Sequence, residues 1–481
     1  MANGVASDTS NVEHISQYIQ ATTKSGEVTE LNHMYIADDL VEKYHTVSFQ
    51  DILYIYDTIE NVYVESSQHI EKEVRAIAAE LQYTGSIAKV ISETTKYVKY
   101  KNVEHSYPFN KAAFMLPVQN GILKIHVGDG NIELLPHDYK NKFTFKLPIL
   151  YNPSANSEKI EQVISSWVEP EDTELLYQIP AQAILQMIID NSYKKNYIAH
   201  GEPHAGKSSY LKLLERFFGK DNFCHVSLHQ IGMDRFCTGN LENKMLNIYD
   251  DLSDIPLENV GEFKNITGST SHHIESKNVQ AYEGRIYAVH IFACNKPPSV
   301  PEKILYDTAF WERFEIIKFP YFFEVDPLFY ELTFTEDNLS GYLNVVLKHV
   351  LRIIKERKLI VNRTAEEVMD RWNELSDPLL QFINENCTEL ANSSVLNNFD
   401  KDLFYNEYLK FCRNKSINPK KIIPSLNLFT RSLQSHRFLP FETSKKIGSV
   451  KTRFKCYRGP WIWNNGQEHM EPGRTQSTVP L

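Results

Sequence analysis

One run of nine residues constrains this chain more than any other: Gly201-Glu202-Pro203-His204-Ala205-Gly206-Lys207-Ser208-Ser209. It matches the pattern G-x-x-x-x-G-K-[ST], follows a strand-like apolar run (196–200) and opens a helical pattern over 207–218 that stops at Gly219. Glycines in such a loop let successive backbone N–H groups curl inward onto phosphate oxygens, and the helix N-terminus adds the positive end of its dipole. Lys207 is expected to reach the β- and γ-phosphates of a nucleotide, and the Ser208 hydroxyl to ligate Mg²⁺. A surface turn ending in a lysine needs neither the strand before it nor the helix after it.

A phosphate loop does not name a function, so its partners matter. The next apolar run, 245–249, ends in Asp250-Asp251. Carboxylates at a strand end beside the loop are placed to hold the Mg²⁺ and to polarise an attacking water; the spacing does not divide the two roles between them. A further strand-like run, 287–294, ends in Asn295, whose amide would sit beside the terminal phosphate and orient that water. Arg313 is read as lying just past the last core strand, where it suits a cation supplied to a neighbouring subunit's nucleotide. An ordinary turn at Asn295-Lys296-Pro297-Pro298, or an ion pair of Arg313 with Asp307 or Glu315, is the plainer alternative.

Alternating strands and helices over 196–320 give an α/β signature. Upstream, helical periodicity at 36–44, 67–82 and 86–100 and strand signals at 51–56, 61–65, 114–118, 122–127 and 132–135 read as an N-terminal α+β domain. Residues 1–35 read as a flexible start, 36–155 as that domain, and 156–195 as a helical linker broken at Pro170 and Pro180. The α/β core is set at 196–325, with a strand expected at 223–228. A helical segment at 326–376, a last module at 377–465 and a disordered tail at 466–481 complete the division.

Composition excludes several classes. Hydrophobic residues make up 42% of the 481, enough for cores and too many for pervasive disorder. No apolar run reaches the roughly 20 residues of a membrane span, the first thirty residues lack an apolar signal core, and six unpatterned cysteines fit a reducing cytosol, so a cytoplasmic protein away from membranes is expected. The net charge of −10 speaks against nucleic acid until it is resolved along the chain. Residues 401–463 hold fourteen Lys and Arg against three acids, a surplus of +11, so the other 418 residues carry −21. Two helical patterns and a basic two-strand unit in this module look like a winged helix. The second helix, with Arg431, is the candidate recognition element, and Lys445, Lys446, Lys451 and Arg453 lie on the wing.

The order phosphate loop, Asp-Asp, Asn, Arg resembles the compact core of superfamily 3 DNA helicases, a branch of the AAA+ ATPases. The likeness is to the helicase half of phage and plasmid primase–helicases and their poxvirus relatives. Phe263-Lys264-Asn265-Ile266-Thr267-Gly268, Ile274-Glu275-Ser276-Lys277 and Ala309-Phe310-Trp311-Glu312-Arg313-Phe314 are similar to that family's strings, as are 118–123 and 147–153 upstream. Gly268-Ser269-Thr270 departs from the family's Gly-Gly-Asp, Asn278 from its usual glycine or tyrosine, and Glu312-Arg313 from its Arg-Arg pair. The resemblance implies an AAA+ P-loop ATPase core with ATP and Mg²⁺ bound between subunits of a homo-hexamer, and Arg313 reaching across. It also implies a β-hairpin at about 271–285 that grips DNA in the ring's channel, with 279–284 near its tip. Lys277 is the first candidate for a phosphate contact, then Lys264, His273 and Arg285. The partners implied are single-stranded and forked DNA, with priming left to a separate primase or polymerase, because Asp38-Asp39 lacks the Asp-x-Asp arrangement of a primase. Cys224, His225, His229 and Cys237 match no zinc framework. A DNA-binding AAA+ initiator or defence ATPase that does not unwind, and a nucleotide-gated scaffold recruiting a primase, remain as alternatives.

Overall fold

Five short runs rich in apolar residues become strands of one parallel sheet. In the computed structural model, which describes residues 16–276, 279–300, 302–376, 378–390, 396–414, 425–447 and 450–465, these are β1 (Asn196–His200), β2 (Phe223–Cys224), β3 (Leu246–Tyr249), β4 (Val289–Cys294) and β5 (Phe314–Lys318). The order across the sheet is β2-β3-β4-β1-β5, every pair parallel. All six residues of β4 are buried, as expected of a strand covered on both faces. The protein is thus a mixed α/β fold with a parallel sheet. Because β4 inserts between β1 and β3, the C-terminal ends of these three strands lie side by side.

By its contacts the chain divides into two units: 1–252, 258–295 and 312–363 form the first, and 253–257, 296–311 and 364–481 the second. Neither the expected boundary at 376/377 nor an undivided 196–325 core matches this division. Segments at 253–257 and 296–311 leave the core to pack with residues far along the chain, which no local pattern announces.

In the first unit, helix Pro170–Ile189 is almost wholly buried against the sheet. Pro170 starts this helix, where its missing N–H costs nothing. Pro180 does not break it, contrary to expectation. A proline at 180 deprives the Leu176 carbonyl of its helical partner, and here that carbonyl accepts from the Tyr210 hydroxyl at 2.7 Å and the Tyr342 hydroxyl at 3.4 Å. Two buried tyrosines from other helices complete the interrupted ladder.

The N-terminal portion differs from the expected division in two ways. Residues expected to be loose form an antiparallel pair, Ile19–Thr22 with Val28–Leu31, because Tyr18, Val28 and Leu31 are buried in a small core with Ile36, Leu40, Ile70 and Val74. Residues 1–15 lie outside the described residues. Strands Met115–Val118, Gly121–Ile125 and Ile132–Leu135 share the large core of the parallel sheet, so no apolar boundary falls at 155. The strand expected at 223–228 is only two residues long. Ser227 then caps helix Leu228–Met233 in a box with Gln230, a pairing of hydroxyl and amide that competes with strand extension.

In the second unit, Asn397–Asp400, Val450–Gly459 and Leu439–Ile447 form an antiparallel sheet with Val450–Gly459 at its centre. Helices Lys401–Asn414 and Leu426–Ser435 bury Phe404, Tyr408, Phe429 and Leu433 against Phe438 and Tyr457. Trp372 packs on Trp311 at 5.6 Å between ring centres, and its Nε1 donates to the Pro298 carbonyl at 2.8 Å. Among the described residues, no helix is long and apolar enough to cross a membrane.

The Pro180 repair gives a direct test. Tyr210→Phe is expected to destabilise the chain by about 1–3 kcal/mol in urea denaturation, the cost of a poorly satisfied buried carbonyl. Pro180→Ala, which restores the helical N–H, is expected to recover most of that loss in the double variant. Additive losses would contradict the repair.

Candidate active site

The chain leaves β1 at His200, turns through Gly201–Gly206 and enters helix Lys207–Phe218. The turn needs its glycines. Gly206 has φ +93, and a Cβ there would lie 2.5 Å from Cδ1 of Trp167; a Cβ on Gly201 would lie 2.5 Å from the Phe319 carbonyl oxygen. His204 also adopts a left-handed backbone, φ +65, at the crest of the loop.

Lys207 is buried, and its ammonium donates to the Gly201 carbonyl (2.6 Å), the Glu202 carbonyl (2.9 Å) and Oδ1 of Asn295 (2.9 Å). Burial holds its pKa below the ordinary lysine value, with Cys294, Asp250, Glu202 and Asp251 acting the other way. Ser208 Oγ donates to Oδ2 of Asp250 at 2.7 Å, and the Asp251 backbone N–H donates to the other oxygen of the same carboxylate at 2.9 Å. Asp251 itself has φ +58. Burial lowers the His200 pKa to about 4 and raises the Cys294 thiol to about 12, so both stay neutral beside Lys207 at physiological pH.

These groups open onto a cavity of about 620 Å³, within the usual range for small-molecule sites. Pro203 to Ser209, Asp250, Asp251 and Asn295 line it on one side. The other side comprises Trp167 and a segment after β5 that includes Phe323, Phe329 and Tyr330. Tyr330 Oη lies 3.4 Å from Ser209 Oγ. Gly201 and Glu202 contribute carbonyls to Lys207 rather than cavity wall. The residues suit a phosphate ester with a hard cation: a backbone cradle that a Cβ would fill, a helix N-terminus, a buried ammonium, and a hydroxyl beside a carboxylate as oxygen donors.

The structure thus brings together five of the expected residues, Lys207, Ser208, Asp250, Asp251 and Asn295. Arg313 is not among them. It precedes β5, its carbonyl accepts from the Asn196 N–H, and it therefore lies at the opposite edge of the sheet, about 16 Å away along β1. There its Nε donates to Thr267 Oγ1 at 2.9 Å and its Nη2 to the Lys264 carbonyl at 3.1 Å.

The expected hairpin is present as Ser271–Ser276 paired with Val279–Arg285. Residues 279–284 form its return strand rather than its tip, because Ser276 pairs directly with Val279. Lys277 lies outside the described residues. His273 is exposed, Lys264 sits on helix Gly261–Ile266, and Arg285 lies at the hairpin base, 3.5 Å from Asp190. Tyr282 donates to Glu242 at 2.6 Å and the Glu275 N–H to Thr238 Oγ1 at 3.0 Å, fixing the hairpin to helix Cys237–Leu241. In the second unit Arg431 and Arg453 are exposed, and strand register sets Lys446 opposite Lys451 and Lys445 opposite Thr452. Cys224 is spent on the Leu246 carbonyl and Asn247, and burial pushes its thiol up to about 12. Sequence reasoning missed Trp167, Phe323, Phe329 and Tyr330; the aromatic run Phe319-Pro320-Tyr321-Phe322-Phe323 after β5 was the available signal.

Residues 199–313 match the family described as Family of unknown function (DUF5906). Among solved structures, the chain is similar to an A-form apo structure of the NrS-1 C-terminal region, with 12% identity, 89% of this chain and 99% of that chain covered, and a TM-score of 0.45. A second A-form apo structure of that region gives 12% identity, 85% and 88% coverage and a TM-score of 0.44. None of the curated proteins compared with the chain matches significantly.

Mg²⁺ with ATP is expected to stabilise the wild type by about 2.7 kcal/mol at 100 times the dissociation constant, and Gly206→Ala is expected to abolish that stabilisation. Thermal melts with and without nucleotide measure it. An undiminished shift in the variant would show that the loop does not hold the ligand.

Proposed function

We propose that this chain is an ATP-dependent DNA helicase of the AAA+ superfamily 3 type, acting as a homo-hexamer in replication of a virus, plasmid or integrated element. The observation that carries the reading is the distribution of groups over the two edges of one parallel sheet. Lys207, Ser208, Asp250, Asp251 and Asn295 converge at one edge, while Arg313 and the hairpin base lie at the other.

Within one chain Arg313 is too distant to serve its own phosphates, which supports its action on a neighbour's nucleotide. Lys207 would bind the β- and γ-phosphates, its ammonium held ready by three neutral acceptors. The contact of Ser208 with Asp250 favours these two as the Mg²⁺ side of the site and leaves Asp251 to accept a proton from the attacking water. A magnesium ion bound there would neutralise charge on the phosphate oxygens. Asn295, one strand away, would orient the water while its Oδ1 keeps its hold on Lys207.

Coupling to DNA is supported by connectivity. Arg313 is tied to Lys264 and Thr267, which immediately precede the hairpin, so a change at Arg313 has a short covalent route to it. Lys264, His273, Lys277 and Arg285 are the hairpin-side candidates for strand contacts. Arg431, Lys445, Lys446, Lys451 and Arg453, within the module of charge +11, are candidates for duplex contacts at loading.

Strand separation on a forked duplex tests the reading. Wild type is expected to unwind with ATP; Lys207→Ala should lose hydrolysis, and Lys277→Ala should keep hydrolysis and lose unwinding. Hydrolysis without unwinding on any fork would favour a non-unwinding initiator or defence ATPase, and no hydrolysis even with DNA would favour a scaffold. Mixing Arg313→Ala with Lys207→Ala subunits is expected to restore part of the hydrolysis through hybrid interfaces. No recovery in mixed assemblies would rule out a shared site.

A further inference from the structure

Trp167 is a large buried side chain that no part of the phosphate-loop motif requires. It ends helix Glu158–Trp167, and the next helix starts three residues later at Pro170, so the ring is held at a sharp chain reversal. The side chain is 2% exposed and packs edge-on against Tyr210 (6.0 Å) and Phe329 (6.5 Å). These contacts fix its plane. Its remaining surface lines the cavity, and its Nε1 lies 2.9 Å from where a Cβ on Gly206 would stand.

The indole nitrogen can only donate a hydrogen bond, and a buried tryptophan ordinarily finds an acceptor. Here Nε1 makes no hydrogen bond to another described residue and is not sealed off, so it opens onto the cavity while the ring is locked by its neighbours. Four carboxylates line the cavity, Asp250 and Asp251 just past the C-terminal end of β3 and Glu324 and Asp326 on the segment after β5; Trp167 abuts the glycine that precedes Lys207. An acceptor-rich group seated in the loop would meet this donor.

We infer that Trp167 is a ligand-contacting residue of this site, its indole N–H donating to a phosphate oxygen of the bound nucleotide. The inference rests on the nucleotide reading given above. It also accounts for Gly206 as a position where the backbone must come close to an aromatic ring, in addition to its positive φ. The donor is neutral, so it adds directionality to the phosphate contacts without adding to the positive charge that Lys207 already supplies.

The test compares Trp167→Phe, which keeps an aromatic ring and removes the N–H, with Lys207→Ala and wild type. ATP and inorganic triphosphate, each with Mg²⁺, are titrated calorimetrically. Trp167→Phe is expected to weaken both by about tenfold or more, the usual effect of losing a hydrogen bond to a charged group. Triphosphate affinity unchanged with ATP weakened would place the contact on the nucleoside and overturn the phosphate assignment. Neither affected while Lys207→Ala abolishes binding would overturn the role of Trp167 and leave the nucleotide reading intact. Binding undiminished in Lys207→Ala would sink the nucleotide reading itself. A measurement on wild type needs no variant to fold: inorganic triphosphate is expected to change tryptophan emission and its quenching by acrylamide. Unchanged emission and quenching at saturation would contradict a contact at Trp167.

Discussion

The site depends on one buried ammonium. Lys207 is taken out of water at the head of a helix, at a cost that lowers its pKa, and three neutral oxygens hold it there. Two are carbonyls of its own loop. The third, Asn295 Oδ1, arrives from β4, and it can do so only because β4 lies between β1 and β3 in the sheet. The same strand order brings Asp250 within 2.7 Å of Ser208. A different order would scatter these groups without altering the nine-residue motif.

The parallel sheet also separates two groups of residues. Its C-terminal edge gathers acceptors, donors and a cavity suited to a phosphate ester. Its N-terminal edge carries Arg313 and the base of the hairpin, joined through Lys264 and Thr267. Parallel strands have two chemically distinct ends, so successive copies stacked head to tail would set one edge against the other. Charge is uneven along the sequence: residues 401–463 carry +11 and the other 418 residues −21, within a net −10.

Much of this was legible from residue patterns. The runs at 196–200 and 207–218 have the boundaries that periodicity and Gly219 imply, and Asp250, Asp251 and Asn295 stand at strand ends as their positions suggest. What escaped depends on contacts distant in sequence. Pro180 reads locally as a breaker, and only Tyr210 and Tyr342, brought in by other helices, make it tolerable. Trp167 stands far ahead of Gly206 in the chain, at the end of a helix that carries no motif, so nothing local ties it to the Gly201–Gly206 turn it abuts. The segments 253–257 and 296–311 belong with residues beyond 363 for the same reason.

Strand order is what sets Asn295 beside Lys207, where the proposed function gives it a role in the reaction. Asn295→Ala measures this most directly, with ATP affinity and single-turnover hydrolysis determined on the same preparation. Affinity is expected to stay within about threefold, since two carbonyls still hold Lys207, while hydrolysis falls by about 100-fold, the scale of losing one positioned polar group. Hydrolysis at the wild-type rate would contradict the account.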